Sequence, residues 1–193
     1  SAVALAAGGN AVIGPHVGDL DHAGAARLWA RSVADLADLH GLKPVAAAVD
    51  LHPDYASTQG AAEWGVPTER VQHHHAHIAA CMAEHGLDGP VLGIAWDGTG
   101  LGPDGTVWGG EFLVCTRAEF RRAAWLRPCP LVGGDAAARE PRRAALGVLR
   151  EMGSAVPPPG FTAAELAVLD EMLARGVNAV RTSSAGRLFD AVA

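Results

Sequence analysis

A cluster of histidines in the middle of the chain carries the residue types best suited to chemistry. It reads Gln72-His73-His74-His75-Ala76-His77. On a helix, His73 and His77 would stand four residues apart on one face with Cβ atoms ~5–6 Å apart, so both imidazoles could reach one divalent ion. The alternatives are a solvated histidine cluster and a purification tag, although an interruption at Ala76 is unlike a tag. The spacing predicts a metal site held by His73 and His77.

The remaining histidines of the cluster, His74 and His75, would point to other faces of the same helix. Either could line a substrate cleft or cap the start of the helix, and the sequence leaves both interpretations open. A metal-bound imidazole also needs a neighbour that orients its second ring nitrogen. His52 and Asp54 are candidates because they follow a predicted strand, and a proline-containing turn capped by Asp54 is the alternative.

A second motif, Trp96-Asp97-Gly98-Thr99-Gly100, places an acidic residue at the end of an apolar segment. Actin- and hexokinase-like folds approach phosphate in this way, because glycine lets backbone N–H groups come close and threonine adds a hydroxyl donor. A β-turn aspartate without chemistry is the alternative. The position of Asp97, twenty residues after His77, favours a role in the same site.

The elements that must position these motifs alternate between strands and helices. In the first third, the patterns predict a hairpin from Val3–Leu5 and Ala11–Ile13 around Gly8-Gly9-Asn10, a helix over Asp21–His40 ending at Gly41, and a strand over Val45–Val49 that is covered on both faces.

The rest of the chain continues the alternation. The patterns predict a helix over Ala76–His85, a buried strand over Val91–Trp96, a partner strand over Gly109–Thr116 reached through the turn at Pro103-Asp104-Gly105, helices over Arg139–Met152 and Thr162–Arg175, and the start of a further helix in Ser183–Ala193. A capping box is predicted at Thr162 and Glu165.

Charge and cysteine content narrow the functional classes. A net charge of −6 without a Lys/Arg run gives no footprint for nucleic acid or an anionic membrane surface, and no apolar run reaches the ~20 residues of a membrane-spanning helix. Cys81, Cys115 and Cys129 lie far apart without CxxC spacing, which fits a reducing cytoplasm.

Taken together and in order, these motifs resemble the HypF family of [NiFe]-hydrogenase maturation carbamoyltransferases. The strings that carry the resemblance are His16-Val17-Gly18-Asp19-Leu20, Asp50-Leu51-His52-Pro53-Asp54-Tyr55-Ala56-Ser57-Thr58, Gln72 to His77, Trp96 to Gly100, Trp108-Gly109-Gly110-Glu111-Phe112 and Ser183 to Val192. Because these strings are spread from residue 16 to residue 192, the resemblance extends over nearly the whole chain.

The resemblance implies an α/β fold. It is that of an actin/hexokinase-like (ASKHA) lobe, with a mixed sheet and flanking helices. Residues 1–193 would form one partial domain, the metal-binding lobe of the carbamoyl-transfer domain, with 183–193 starting the next lobe. The opening at Ser1 and the apolar end at Ala193 predict truncation at both ends, so the piece would be inactive alone.

The same resemblance implies a set of ligands. His73, His77 and Asp97 would hold a divalent metal, zinc or iron, together with a further aspartate beyond residue 193. The turn of Asp97, Gly98, Thr99 and Gly100 would bind the phosphate of the nucleotide, and Asp190 would contact its ribose. No catalytic side chain is identified by this comparison.

The implied reaction makes carbamoyl-adenylate from carbamoyl phosphate and ATP. The carbamoyl group then passes to the C-terminal cysteine of a HypE-type maturation protein, for cyanide ligand synthesis. Three other interpretations remain open: an O-carbamoyltransferase or a tRNA threonylcarbamoyladenosine synthase-like enzyme, a sugar kinase or hydrolase of the actin-like fold, and a non-catalytic metal-binding module. Only the kinase or hydrolase has no need for His73 and His77.

Overall fold

A computed structural model of the chain describes residues 1–193. The residues form two compact units, Ser1–Val71 and Gln72–Ala193. The mixed α/β class is confirmed, but the parallel and antiparallel strand pairs lie in separate small sheets and not in one mixed sheet. That the whole chain is one partial domain, with 183–193 starting another lobe, stays a prediction. None of the helices is both long and apolar enough to cross a membrane.

The first unit contains the predicted hairpin and helix. Strands β1 (Ala4–Ala7) and β2 (Asn10–Ile13) pair antiparallel around Gly8 and Gly9, whose positive φ angles of 57° and 81° suit a two-residue hairpin turn. Helix α1 (Ala23–Leu39) follows and buries Trp29 and Val33. Both predictions are confirmed.

The remainder of the first unit departs from the expectation. Strand β3 (Ala47–Asp50) pairs in parallel with β4 (Thr68–Val71), and helix α2 (Ala56–Ala61) with a 3-10 turn (Ala62–Trp64) joins them. The strand excludes Val45, which is 82% exposed, and Ala47 is its only buried residue. The prediction that this strand is covered on both faces is therefore wrong within this unit. Neither β4 nor α2 was predicted, because neither carries an apolar periodicity.

The second unit begins with helix α3 (His73–Glu84), which starts three residues earlier than predicted because the Gln72 side chain caps it. Strands β5 (Val91–Trp96), β6 (Gly110–Cys115) and β7 (Phe120–Trp125) form an antiparallel sheet in the order β5-β6-β7. Helix α3 packs on this sheet through Ile78 and Met82, which join Trp108 and Leu113 in one buried cluster. The pairing of β5 with β6 confirms the prediction.

Strand β5 is not fully buried, contrary to expectation. Gly93 and Ala95 are buried, whereas Leu92, Ile94 and Trp96 are 62%, 58% and 61% exposed. Side chains alternate between the faces of a strand, and only one face of β5 is covered. The continuous apolar run therefore marks one buried face and one open apolar face.

The remaining elements pack around a second antiparallel pair. Strands β8 (Cys129–Val132) and β9 (Ala179–Thr182) are flanked by helices α4 (Asp135–Arg139), α5 (Pro141–Glu151), α6 (Ala163–Arg175) and α7 (Ala185–Val192). The helix predicted over Arg139–Met152 is present as α5, but it begins two residues later than predicted because Pro141 holds Glu140 out of helical geometry. The capping box of Thr162 and Glu165 and the start of α7 are confirmed.

Gly147 tests the packing of α5 on β8. A Cβ atom at this position would lie 1.8 Å from the carbonyl oxygen of Pro130, so backbone would have to move. We expect Gly147→Ala to lower the free energy of unfolding by about 1–3 kcal/mol, the usual cost of overpacking. The matched control is Gly24→Ala in α1, where the added methyl meets open space and should stabilise by ~0.5–1 kcal/mol. Equal stability of both variants in chemical denaturation would contradict the packing described.

Candidate metal centre

Helix α3 places two imidazoles side by side at its N-terminal end. His73 is its first residue and His77 lies one turn later on the same face, as their spacing predicted. Their Nε2 atoms are 3.2 Å apart. The two histidines that the sequence spacing placed on one helical face therefore bring their ring nitrogens together.

Asp97, the residue after β5, joins this pair. Its Oδ2 atom lies 3.1 Å from Nε2 of His73 and 3.3 Å from Nε2 of His77. All three donor atoms lie within 4.8 Å of one another. His77 is the most exposed of the three side chains, so the cluster opens to solvent on its side. The structure thus brings together the three residues predicted to ligate a metal.

The main chain of Asp97 is fixed from two directions. Its N–H donates to the carbonyl of Gly109 at 2.8 Å, and its carbonyl accepts the Ser184 hydroxyl at 2.6 Å and the N–H of Gly186 at 3.0 Å. Its second carboxylate oxygen, Oδ1, accepts the N–H of Gly98 at 2.6 Å. These bonds hold Asp97 at the start of the glycine turn with its Oδ2 toward the imidazoles.

The donor set fits a divalent ion. Ligand atoms at ~2.0–2.2 Å around a tetrahedral metal are separated by roughly 3.3 Å, close to the separations seen here. Two imidazoles and a carboxylate suit zinc and iron about equally. The same atoms also lie at hydrogen-bonding distance, so an ion and a shared proton are both compatible with this arrangement.

The charge of Asp97 favours cation binding. Partial burial of the carboxyl opposes ionisation, but the Gly98 N–H bond and the nearby imidazoles of His73 and His77 hold its pKa below the ordinary value. The Asp97 carboxylate is therefore ionised at neutral pH.

His74 lies in the core beside this cluster and not in an open cleft. Its side chain is fully buried and stacks on Trp108 with ring centroids 6.4 Å apart. The Gln72 amide faces it: the amide oxygen accepts the N–H of His75 at 2.9 Å, so the amide nitrogen, 3.1 Å from Nδ1 of His74, must donate. This places the His74 proton on Nε2, which is buried without a hydrogen-bond partner.

His75 is also packed inside the unit. Its Nε2 lies 2.9 Å from the carbonyl oxygen of Thr116, and its ring contacts Phe120 at a centroid distance of 5.0 Å. Neither His74 nor His75 caps the helix, since Gln72 does so. Support of the metal ligands by these two histidines stays a prediction.

The glycine turn after Asp97 lies against the start of α7. A Cβ atom on Gly186 would be 2.6 Å from Cα of Gly98, so the two backbones are in direct contact. The Arg187 guanidinium lies 3.3 Å from where a Cβ of Gly98 would stand, and it pairs with Asp190 at 2.7 Å. Asp190 is thus linked to the turn through Arg187.

His52 and Asp54, the first-unit residues predicted to orient a metal-bound imidazole, lie in a local turn. The backbone N–H of His52 donates to Asp50 at 2.8 Å, and that of Asp54 donates to Nδ1 of His52 at 3.2 Å. The His52 ring stacks on Tyr55 with centroids 4.4 Å apart. Any role of His52 and Asp54 in orienting the imidazoles stays a prediction.

A buried ion pair that sequence reasoning missed supports the centre. Glu111 is fully buried, and its Oε2 accepts Nε of Arg122 at 2.6 Å. Its Oε1 accepts the N–H groups of Gly109 and Gly110 and the hydroxyl of Ser183. Gly110, the first residue of β6, was the available signal, because glycine in a strand often marks close backbone approach.

Comparisons with known proteins cover both units. Residues 1–84 match the family model described as HypF Kae1-like domain, and residues 93–193 match the one described as carbamoyltransferase, Kae1-like domain, second subdomain. The chain is 46% identical over 99% of its length to carbamoyltransferase HypF2 of Cupriavidus necator, and 49% identical over its full length to carbamoyltransferase HypF of Rhodobacter capsulatus. It spans 24% and 27% of those two proteins.

Solved structures agree with this likeness. A crystal structure of full-length HypF in the phosphate- and nucleotide-bound form matches with a TM-score of 0.86 and 41% identity, over 94% of this chain and 24% of that one. The crystal structure of HypF from T. kodakarensis matches with a TM-score of 0.87 and 33% identity, over all of this chain and 28% of that one. At these identities the likeness shows that this chain has the fold of the matched part of HypF and is related to it in sequence.

The burial of His74 predicts a pH dependence of stability. Burial, and then the neighbouring His73, lower its pKa from 6.5 to about 4. The unfolded chain therefore binds a proton between about pH 6.5 and 4 that the folded protein does not, so the free energy of unfolding falls as pH falls through this range.

We expect His74→Gln to flatten this slope in chelator-treated protein, measured by urea unfolding at several pH values. His85→Gln, which removes an exposed histidine at the end of the same helix, is the control and should keep the slope. Parallel slopes for the unsubstituted protein and His74→Gln would contradict a neutral buried imidazole.

Proposed function

Because the chain belongs to the HypF carbamoyltransferase family, we propose that it supplies the metal- and nucleotide-binding part of an enzyme that transfers a carbamoyl group. The observation that carries this proposal is the meeting of His73, His77 and Asp97 at the start of a glycine turn. A plain kinase or hydrolase of this fold would need the turn but not the two imidazoles. The chain spans about a quarter of its full-length relatives, so the complete activity is proposed for a longer protein.

The metal in this proposal is a zinc or iron ion held by His73, His77 and Asp97, with an aspartate outside this sequence completing the set. Such an ion would neutralise phosphate charge and polarise a carbonyl oxygen as a Lewis acid. The chain's own contribution is geometric. Helix α3 and the turn at Asp97 hold three donors at 3.1 to 3.3 Å from one another.

The nucleotide lies, in this proposal, along the turn of Gly98, Thr99 and Gly100. Glycine allows backbone N–H groups to approach a phosphate, and the Arg187 guanidinium beside Gly98 adds positive charge. Asp190, which Arg187 holds at 2.7 Å, would accept a hydroxyl of the ribose. A relative solved with phosphate and nucleotide bound supports a nucleotide in this family.

The substrate proposed is carbamoyl-adenylate, formed from carbamoyl phosphate and ATP elsewhere in the longer protein. The acceptor is the thiolate of a C-terminal cysteine on a HypE-type maturation protein. Attack on the carbamoyl carbon forms a C–S bond and breaks the bond to the adenylate oxygen, so AMP leaves with the electron pair. Residues of this chain would orient the adenylate, and its electrostatics would stabilise the oxygen on which charge develops. The carbamoyl group would then supply the cyanide ligand of a [NiFe]-hydrogenase, in the cytoplasm.

His73 and His77 carry the first test in the full-length protein. His73→Ala or His77→Ala should remove bound metal and abolish carbamoyl transfer, because each deletes one of three clustered donors, while adenylate formation persists. Metal content is measured by mass spectrometry. Carbamoyl transfer is measured as AMP formation by chromatography, because AMP leaves in that step. His85→Ala, at the exposed end of the same helix, is the control and should keep both. Unchanged metal content in both donor variants would refute the assignment.

Asp97→Asn tests charge separately from shape. The amide oxygen of asparagine can still accept the Gly98 N–H, so the turn and the thermal unfolding temperature should be kept. Loss of the ionic ligand should weaken metal affinity by about tenfold or more, equivalent to ~1.4 kcal/mol or more. Asp88→Asn, which neutralises an exposed carboxylate paired with Arg117, is the matched control for titration. Equal metal affinity of Asp97→Asn and the unsubstituted protein would show that Asp97 only caps its turn.

A further inference from the structure

Ser184 connects the turn of Asp97 to the start of α7 through one hydroxyl group. Its Oγ lies 2.6 Å from the carbonyl oxygen of Asp97 and 2.9 Å from that of Gly98. It also accepts the N–H of Arg187 at 3.1 Å, which makes it the N-cap of α7. A hydroxyl donates one proton and accepts through its lone pairs. The two carbonyls therefore share the Ser184 proton, while the helix uses a lone pair of the same oxygen.

The backbones on either side of this hydroxyl also touch. The N–H of Gly186 donates to the Asp97 carbonyl at 3.0 Å. The N–H of Ala185 donates at 3.0 Å to the carbonyl of Gly109, the oxygen that also accepts the N–H of Asp97. No side chain separates Gly186 from Gly98. A displacement of either segment must therefore displace the other.

Asp97 stands between the two halves of this arrangement. Its carboxylate faces His73 and His77, whereas its carbonyl faces Ser184 and Gly186. If Ser184 lost its hydroxyl, the carbonyl of Asp97 would keep the Gly186 bond, and the cap of α7 would be lost. The hydroxyl is thus the one group that binds the turn and caps the helix at the same time.

We propose that Ser184 is a positioning residue that couples occupancy of the metal centre to the order of α7. This rests on the proposed function, in which α7 carries the ribose contact Asp190. A ligand that fixes the Asp97 carboxylate fixes its turn, and the turn fixes the first residues of α7. Coupling between two binding equilibria is reciprocal, so a nucleoside held by α7 raises metal affinity by the same factor that metal raises nucleoside affinity.

The test uses the full-length protein with Zn²⁺ and adenosine as probes. Adenosine has the ribose but no phosphate, so it cannot act by ligating the metal through a phosphate oxygen. Saturating adenosine should raise the affinity of the unsubstituted protein for Zn²⁺ about fivefold or more, and in Ser184→Ala the gain should fall below about twofold. Zn²⁺ alone should slow amide hydrogen exchange in the first turn of α7 of the unsubstituted protein but not of Ser184→Ala.

Thr162→Ala is the matched control. Its hydroxyl caps α6 by accepting the N–H of Glu165, so this variant loses a helix cap without touching the turn of Asp97. It should retain both the affinity gain and the exchange response, which separates coupling from general loss of helix stability.

The outcomes separate the coupling from the sites themselves. No Zn²⁺ binding by the unsubstituted protein would refute the proposed metal centre, and no adenosine binding would refute the nucleoside contact. Binding of both with independent affinities, or Zn²⁺ binding without any change in exchange at α7, would overturn the coupling alone. The measurements on the unsubstituted protein decide whether the two sites are coupled even if Ser184→Ala does not fold, and a full affinity gain in folded Ser184→Ala would show that Ser184 does not carry the coupling.

Discussion

The arrangement of the second unit depends on the burial of one carboxylate, that of Glu111. A buried charge is tolerated only when it is paired and hydrogen-bonded. Glu111 meets this requirement with Arg122, two glycine N–H groups and the Ser183 hydroxyl. Arg122 in turn lies between the rings of Trp108 and Trp125, 4.0 and 4.3 Å from their centroids. One ion pair therefore ties β6 and β7 to the segment between β9 and α7.

The Glu111–Arg122 ion pair also positions the residues of the candidate metal centre. With Ser183 bound to Glu111, its neighbour Ser184 reaches the carbonyls of the turn that follows β5. Gly109, beside Glu111 in space, accepts the N–H of Asp97. The carboxylate of Asp97 is then presented to the imidazoles of α3, which packs on the same sheet. The donor cluster thus combines a local helical spacing with a long-range set of backbone bonds.

These two origins explain how far the sequence could predict the site. The pairing of His73 with His77 follows from helical geometry, and the resemblance to a known family added Asp97. The hairpin, α1, α6 and the start of α7 followed from glycine turns, apolar periodicity and capping residues. Strand β4 has only one strongly apolar residue, Val71, so its parallel pairing with β3 left no pattern to recognise. The roles of Glu111 and Ser184 depend on partners that are distant in sequence. The type of a polar residue alone does not indicate which distant groups it will bind.

The contact between Gly186 and Gly98 has a consequence for how this sequence can evolve. Gly186 is helical and has ordinary backbone angles, so nothing in its conformation demands glycine. The demand comes from the main chain of Gly98, which every residue type at position 98 would possess. Drift at position 98 therefore cannot relax selection at position 186. A recombinant that inherits the Asp97 turn from one parent and the α7 segment from another should be viable at this contact only if the second parent also brings glycine.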